Sequence, residues 1–178
     1  YRWMFMFAHY LGYTQYISRF LNIYKNLSYK NFYLDLMNFF INSEKSIFLK
    51  NEVNETKKSL EIYMNCKGGL GRVVDDVRKN FAWDFEEATA INIIKNKDIF
   101  YNEIKFFLNK YNLDEKLTNE LIRYQKDTII DPNKEYPFVV ETDYNFYEVI
   151  NYSAKLKEES NRYQINGKNY NGDVFEWG

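Results

Sequence analysis

Ser28-Tyr29-Lys30-Asn31-Phe32-Tyr33-Leu34-Asp35-Leu36-Met37-Asn38-Phe39-Phe40 decides the fold class of this chain. Tyr29, Phe32, Tyr33, Leu36, Met37 and Phe40 fall at i, i+3, i+4, i+7, i+8 and i+11, one face of a 3.6-residue helix, while Lys30, Asp35 and Asn38 take the opposite face. Ser28 stands where a hydroxyl accepts from the unpaired amides of the first turn. The stripe predicts an amphipathic helix that buries its aromatic side.

The same period continues on both sides. Residues 1–26 read as one helix, or as two with a break near Gly12. Residues 51–65 are more polar and predict a partly exposed helix ending before Gly68. Lys67-Gly68-Gly69-Leu70-Gly71-Arg72 holds three of the seven glycines and reads as a loop, an internal boundary within the helical region. Asp84 then reads as a cap, with Glu86 and Glu87 in a first turn where the helix dipole favours acids. Ala88, Ile91 and Ile94, with Phe85, are expected to continue the buried face. Asp98 starts a helix with the stripe Phe100, Ile104, Phe107 and Leu108, and Asp114 caps another with Leu117, Leu121, Ile122, Tyr124 and Ile129 apolar.

Helical character ends at Asp131-Pro132. Residues 136–144 have strand-like composition, with Pro137 arguing for an edge. Residues 145–161 read as a short helix with a charged run, and Asn166-Gly167 as a hairpin turn inside residues 162–170. The expectation is a mainly α chain: a helical domain over 1–132 and a small mixed appendage with a β hairpin over 133–178.

Composition narrows the function classes. With 24 basic and 25 acidic residues the net charge is −1, without the positive excess of a nucleic-acid binder. Phe, Tyr, Asn, Lys and Ile are abundant together, as AT-rich coding favours, so the 17 Tyr and 15 Phe are expected mostly in the core. Cys66 is the single cysteine and His9 the single histidine, so this chain alone builds no disulfide, no iron–sulfur site and no multi-histidine metal site. A lone thiol fits a reducing compartment, most simply the cytoplasm. Arg2, His9, Gln15 and Arg19 interrupt the apolar start far short of the roughly 20 residues that span a bilayer, so no membrane role is expected. The start at Tyr1 reads as a helix cut from a longer polypeptide.

No chemical constellation emerges. Gly68, Gly69 and Gly71 match neither G-x-G-x-x-G nor a P-loop, and a tight connection explains them better. Glu86 and Glu87 lack a histidine at Glu-x-x-His spacing and point about 100° apart. His9 is read as a packed histidine, with a general base or a ligand in a larger assembly as the alternative. Cys66 has no activating neighbour. Arg123-Tyr124-Gln125 sits late in a helix, where it points a polar group into an interface or simply covers a surface.

Three stretches together resemble one family: Arg2-Trp3 with His9 and Gly12, followed by Tyr29-Lys30-Asn31-Phe32-Tyr33; Trp83-Asp84-Phe85-Glu86-Glu87-Ala88 with Phe100-Tyr101-Asn102-Glu103; and Arg123-Tyr124-Gln125 with Asp131-Pro132. They are similar to the C-terminal, post-barrel region of cobalamin-binding-domain radical SAM proteins, including methyltransferase-like members, over most of residues 1–150. The family's Cys-x-x-x-Cys-x-x-Cys loop and its cobalamin domain are absent from this chain. The resemblance therefore implies an accessory domain packed against a catalytic barrel or shaping its substrate side. S-adenosylmethionine, an iron–sulfur cluster and cobalamin would be held by upstream domains of the same polypeptide. Arg2, Trp3, His9, Arg72, Glu86, Arg123 and Gln125 are the expected domain-interface or substrate-side positions. A stand-alone helical interaction module and a small-ligand-binding bundle are the competing readings.

Overall fold

The computed structural model describes residues 2–64, 71–73, 82–129, 131 and 134–166; side chains are described from Gly12 onward, except at 56, 59, 60, 62–64, 71–73 and 82–87. It is mainly α, with a small antiparallel sheet near the C-terminus. Helix α1 spans Arg2–Lys25, α2 Tyr29–Asn42 and α3 Ile47–Met64. A short ladder pairs β1 (Gly71–Val73) with β2 (Ala82–Asp84), Arg72 opposite Trp83. Then come α4 (Phe85–Lys95), α5 (Lys97–Leu108) with a 3-10 turn at Asn109–Tyr111, and α6 (Glu115–Thr128). Strand β3 (Phe138–Tyr144), helix α7 (Phe146–Tyr152) and strand β4 (Glu158–Ile165) complete it.

Local chemistry accounts for most boundaries. The Ser28 hydroxyl accepts from the Asn31 amide at 3.2 Å and the Asp114 carboxylate from the Leu117 amide at 3.2 Å, both ordinary N-caps. α1 ends at Asn26, which takes the left-handed conformation with φ 53°, one that asparagine tolerates better than most residues. The Leu27 amide then donates back to the Leu21 carbonyl, and the Asn22 side-chain Nδ2 donates to the Leu27 carbonyl. α5 begins at Lys97, one residue before the expected start, and its N-cap Asn96 makes no side-chain cap bond. Instead the Asn96 side chain donates to the Asn92 carbonyl.

The core is aromatic and aliphatic. Phe20, Phe32, Leu36, Phe40, Phe100, Ile104, Phe107, Leu121 and Phe146 are fully or almost fully buried in one cluster. Val140, Tyr144, Val149 and Ile150, from beyond residue 132, belong to the same cluster. Two stripe assignments change. Tyr29 is 45% exposed, since it opens the first turn of α2 and points past the core edge. In α4 Ile93 is buried, whereas Ile94 is only partly covered and lines an outer groove.

Two expectations about loops and the C-terminal part are corrected. Gly71 and Arg72 belong to β1, held by pairing to Ala82–Asp84, and are not loop. α7 covers only Phe146–Tyr152; the charged run after it enters β4. β4 pairs with β3, Phe138 opposite Ile165 and Glu141 opposite Arg162. The expected turn at Asn166-Gly167 lies outside the described residues from Gly167 on, as does the Gly68-Gly69 segment.

Asn145 locks the β3–α7–β4 excursion. Fully buried, its Oδ1 accepts from the Lys157 amide at 2.8 Å, and its Nδ2 donates to the Lys155 carbonyl and to Glu148, each at 3.1 Å. Asn145→Ala removes all three bonds and leaves main-chain groups of the returning loop unpaired. A loss of about 2–3 kcal/mol is expected, read from urea unfolding. A loss below about 0.5 kcal/mol would show that the loop is held by packing alone.

Candidate functional site

The described residues are knit together by buried polar side chains that grip the main chain of other helices. The Gln125 side chain of α6, with no exposed surface, reaches α1: its Oε1 accepts from the Tyr16 amide at 2.8 Å and the Ile17 amide at 3.3 Å, and its Nε2 donates to the Gly12 carbonyl at 3.4 Å. Beside it the Tyr101 hydroxyl of α5 donates to the Tyr13 carbonyl at 2.9 Å. Burial pushes the Tyr101 phenol well above its ordinary range and that of Tyr13 up to about 12, so Tyr101 keeps the proton it donates.

Glu103, two residues on in α5 and about 200° round the helix, points the other way. Its two carboxylate oxygens accept from the Phe48 and Leu49 amides of α3 at 2.7 and 2.9 Å. On α4, Asn92 donates to Glu52 of α3 at 2.9 Å. Each of these groups is committed to an interhelical bond, so their present arrangement is architectural.

An outer groove of about 600 Å³ runs along the start of α5 and the end of α6, lined by Lys95, Lys97, Asp98, Lys126, Asp127 and Lys134 among others. Its charges are already matched. Lys97 meets Asp131 at 3.4 Å, Lys134 meets Asp127 at 3.0 Å, and Lys126 pairs with Asp98. Burial draws the Lys97 ammonium below the usual lysine range, and Asp131 opposes that shift. A groove of such pairs presents little free charge to an anionic ligand.

Of the expected site residues, Arg123 and Gln125 have described side chains, and those two face different partners. Arg2, Trp3 and His9 lie in α1, Arg72 in β1 and Glu86 in the first turn of α4; their side chains lie outside the described set, as does all of Cys66. Arg123 is on the surface of α6 and pairs with Glu120, whose carboxylate also accepts from the Asp143 amide of β3 at 3.0 Å. Gln125 is deeply buried, and it holds α1. Sequence reading left Glu103 and Asn145 out of the site residues, because the groups they bind are distant in the chain or reached only after a turn. Among the described residues no three His, Cys, Asp or Glu side chains gather as a metal-ligand set, and no helix is long and apolar enough to cross a membrane.

No protein-family model matches the chain, and comparison with curated proteins finds no match.

Proposed function

We propose that this chain is an accessory helical domain of a cobalamin-dependent radical SAM enzyme, of methyltransferase type, working in the cytoplasm beside upstream domains of the same polypeptide and binding neither nucleic acid nor membrane. The observation that carries the reading is where the resembling motif residues stand. Phe32, Phe100 and Tyr101 are core residues, Glu103 grips α3, Tyr124 packs against Phe146, and Gln125 grips α1. Shared residues of this kind argue for shared helical packing, which is what an accessory domain contributes. A single cysteine does not supply the thiolate set of an iron–sulfur cluster, and the resemblance leaves cobalamin to a separate upstream domain, so both groups would be held elsewhere and no step is assigned to this chain. Arg2, Trp3 and His9, in the first helix, are the positions nearest the upstream domains.

The second reading, a stand-alone interaction module, is favoured by exposed apolar side chains near the start of α3: Ile47 is 70% exposed and Phe106 48%, the latter under the Lys45 ammonium. The gene upstream of the Tyr1 codon separates the two. The expected result is an open frame encoding a Cys-x-x-x-Cys-x-x-Cys loop, and a full-length protein that, made anaerobically, absorbs as an iron–sulfur and cobalamin protein. A start codon just ahead of Tyr1 would end the radical SAM reading.

A further inference from the structure

The grip on α1 has a consequence that goes beyond the proposed function and stands without it. In an α-helix the Gly12 carbonyl is the partner of the Tyr16 amide, and the Tyr13 carbonyl of the Ile17 amide. All four of these groups have a side-chain partner here: Gln125 takes the Gly12 carbonyl and both amides, and Tyr101 takes the Tyr13 carbonyl. Insertion of a side chain into the i→i−4 ladder is one of the few physical causes of a bend in a helix. Gly12 lies at the same place, and a methyl group built there would meet nothing within 4 Å. Neither crowding nor a left-handed backbone demands glycine, although glycine weakens a helix relative to alanine.

We infer that residues 12–17 form a joint in α1, latched by Gln125 and Tyr101, so that the direction of the preceding half of the helix is set by α5 and α6. The helix remains continuous through the joint. What the latch supplies is a second set of partners, which lets the ladder open at this turn without leaving buried amides bare. An amide donates and accepts at once, which suits it to hold both ends of one ladder step. Methionine, of similar length, cannot donate and accepts only weakly.

Amide hydrogen exchange on the full chain, resolved at Tyr16 and Ile17 and compared with amides in α2 and α5, tests this. In Gln125→Met, exchange at Tyr16 and Ile17 is expected to speed up about tenfold more than at the reference amides. Adding Gly12→Ala, which stiffens the ladder itself, is expected to remove most of that excess. Equal acceleration everywhere, or an excess that Gly12→Ala leaves untouched, would overturn the joint and leave Gln125 as a packing residue. Gln125→Glu serves should the methionine variant not fold. Its carboxylate still accepts from the Tyr16 and Ile17 amides, and more strongly than an amide oxygen does, so local protection at Tyr16 and Ile17 should rise relative to the reference amides as the pH rises through the ionisation of that carboxyl. Protection at those two amides that follows only the reference amides across the pH range would sink the proposal.

Discussion

Replacing Phe107 by alanine is expected to destabilise the protein by about 3–5 kcal/mol, the range for deleting a buried phenylalanine ring. The ring is 2% exposed and sits where three elements meet. It stands edge-on to Phe32 of α2 at 5.4 Å between ring centres and to Tyr111 of the 3-10 turn at 5.5 Å, with Phe39 at 5.7 Å. Edge-to-face pairs of this kind add to the burial of apolar area. Such close-packed neighbours cannot collapse far into the void. Phe106, its neighbour in sequence, is the control: 48% exposed, its truncation should change stability by no more than about 0.5 kcal/mol. Urea unfolding of the two variants gives the comparison. Similar losses would mean that α5 is not seated as described.

That contrast shows what was legible in the sequence. The helical period separates Phe107 from Phe106 without any structure, because a 100° rotation per residue places one inward when the other is outward. Caps at Ser28 and Asp114 were legible for the same reason, since donor and acceptor lie three residues apart. Tyr29 and Ile94 were misassigned where a stripe meets its end, and there the edge of the neighbouring element decides burial. The partner of β4 was not legible. An Asn-Gly pair signals a turn locally, but nothing local says that a strand seven residues long, beyond an intervening helix, pairs with it.

The candidate site was less legible than the fold, for a related reason. In the sequence Gln125 is a polar group late in a helix, and the interface it faces is with α1, 109 residues earlier than Gln125 at the Tyr16 amide. Arg123, chosen beside it, turns outward to Glu120 because two helical positions are about 200° apart. Apart from its place in the resembling stretch, Glu103 carries no sequence mark beyond being an acid on an apolar face. Such a residue calls for a partner, and the partner here is main chain, which sequence does not advertise.

Glu103 is also where the second large effect is expected. The start of α3 has two amides, at Phe48 and Leu49, that an N-cap side chain would ordinarily satisfy. Ser46 occupies the cap position, its carbonyl accepting from the Lys50 amide, yet its buried hydroxyl has no hydrogen-bond partner. Glu103 has taken its place, supplying one carboxylate oxygen to each amide from a different helix. A negative group at a helix N-terminus gains from the dipole as well as from two charge-assisted bonds. Glu103→Ala should therefore cost about 2–4 kcal/mol, and Glu103→Gln less, since one acceptor survives. Ser46 supplies the sharper test. Removing a hydroxyl that bonds nothing should leave stability within about 0.5 kcal/mol in Ser46→Ala alone. Once Glu103 is alanine, that hydroxyl is free to cap the bared amides, so the same serine change should then cost a further 1 kcal/mol or so. Strict additivity in the double-mutant cycle would mean that Ser46 never substitutes for Glu103, and that the carboxylate holds α3 by some means other than the cap.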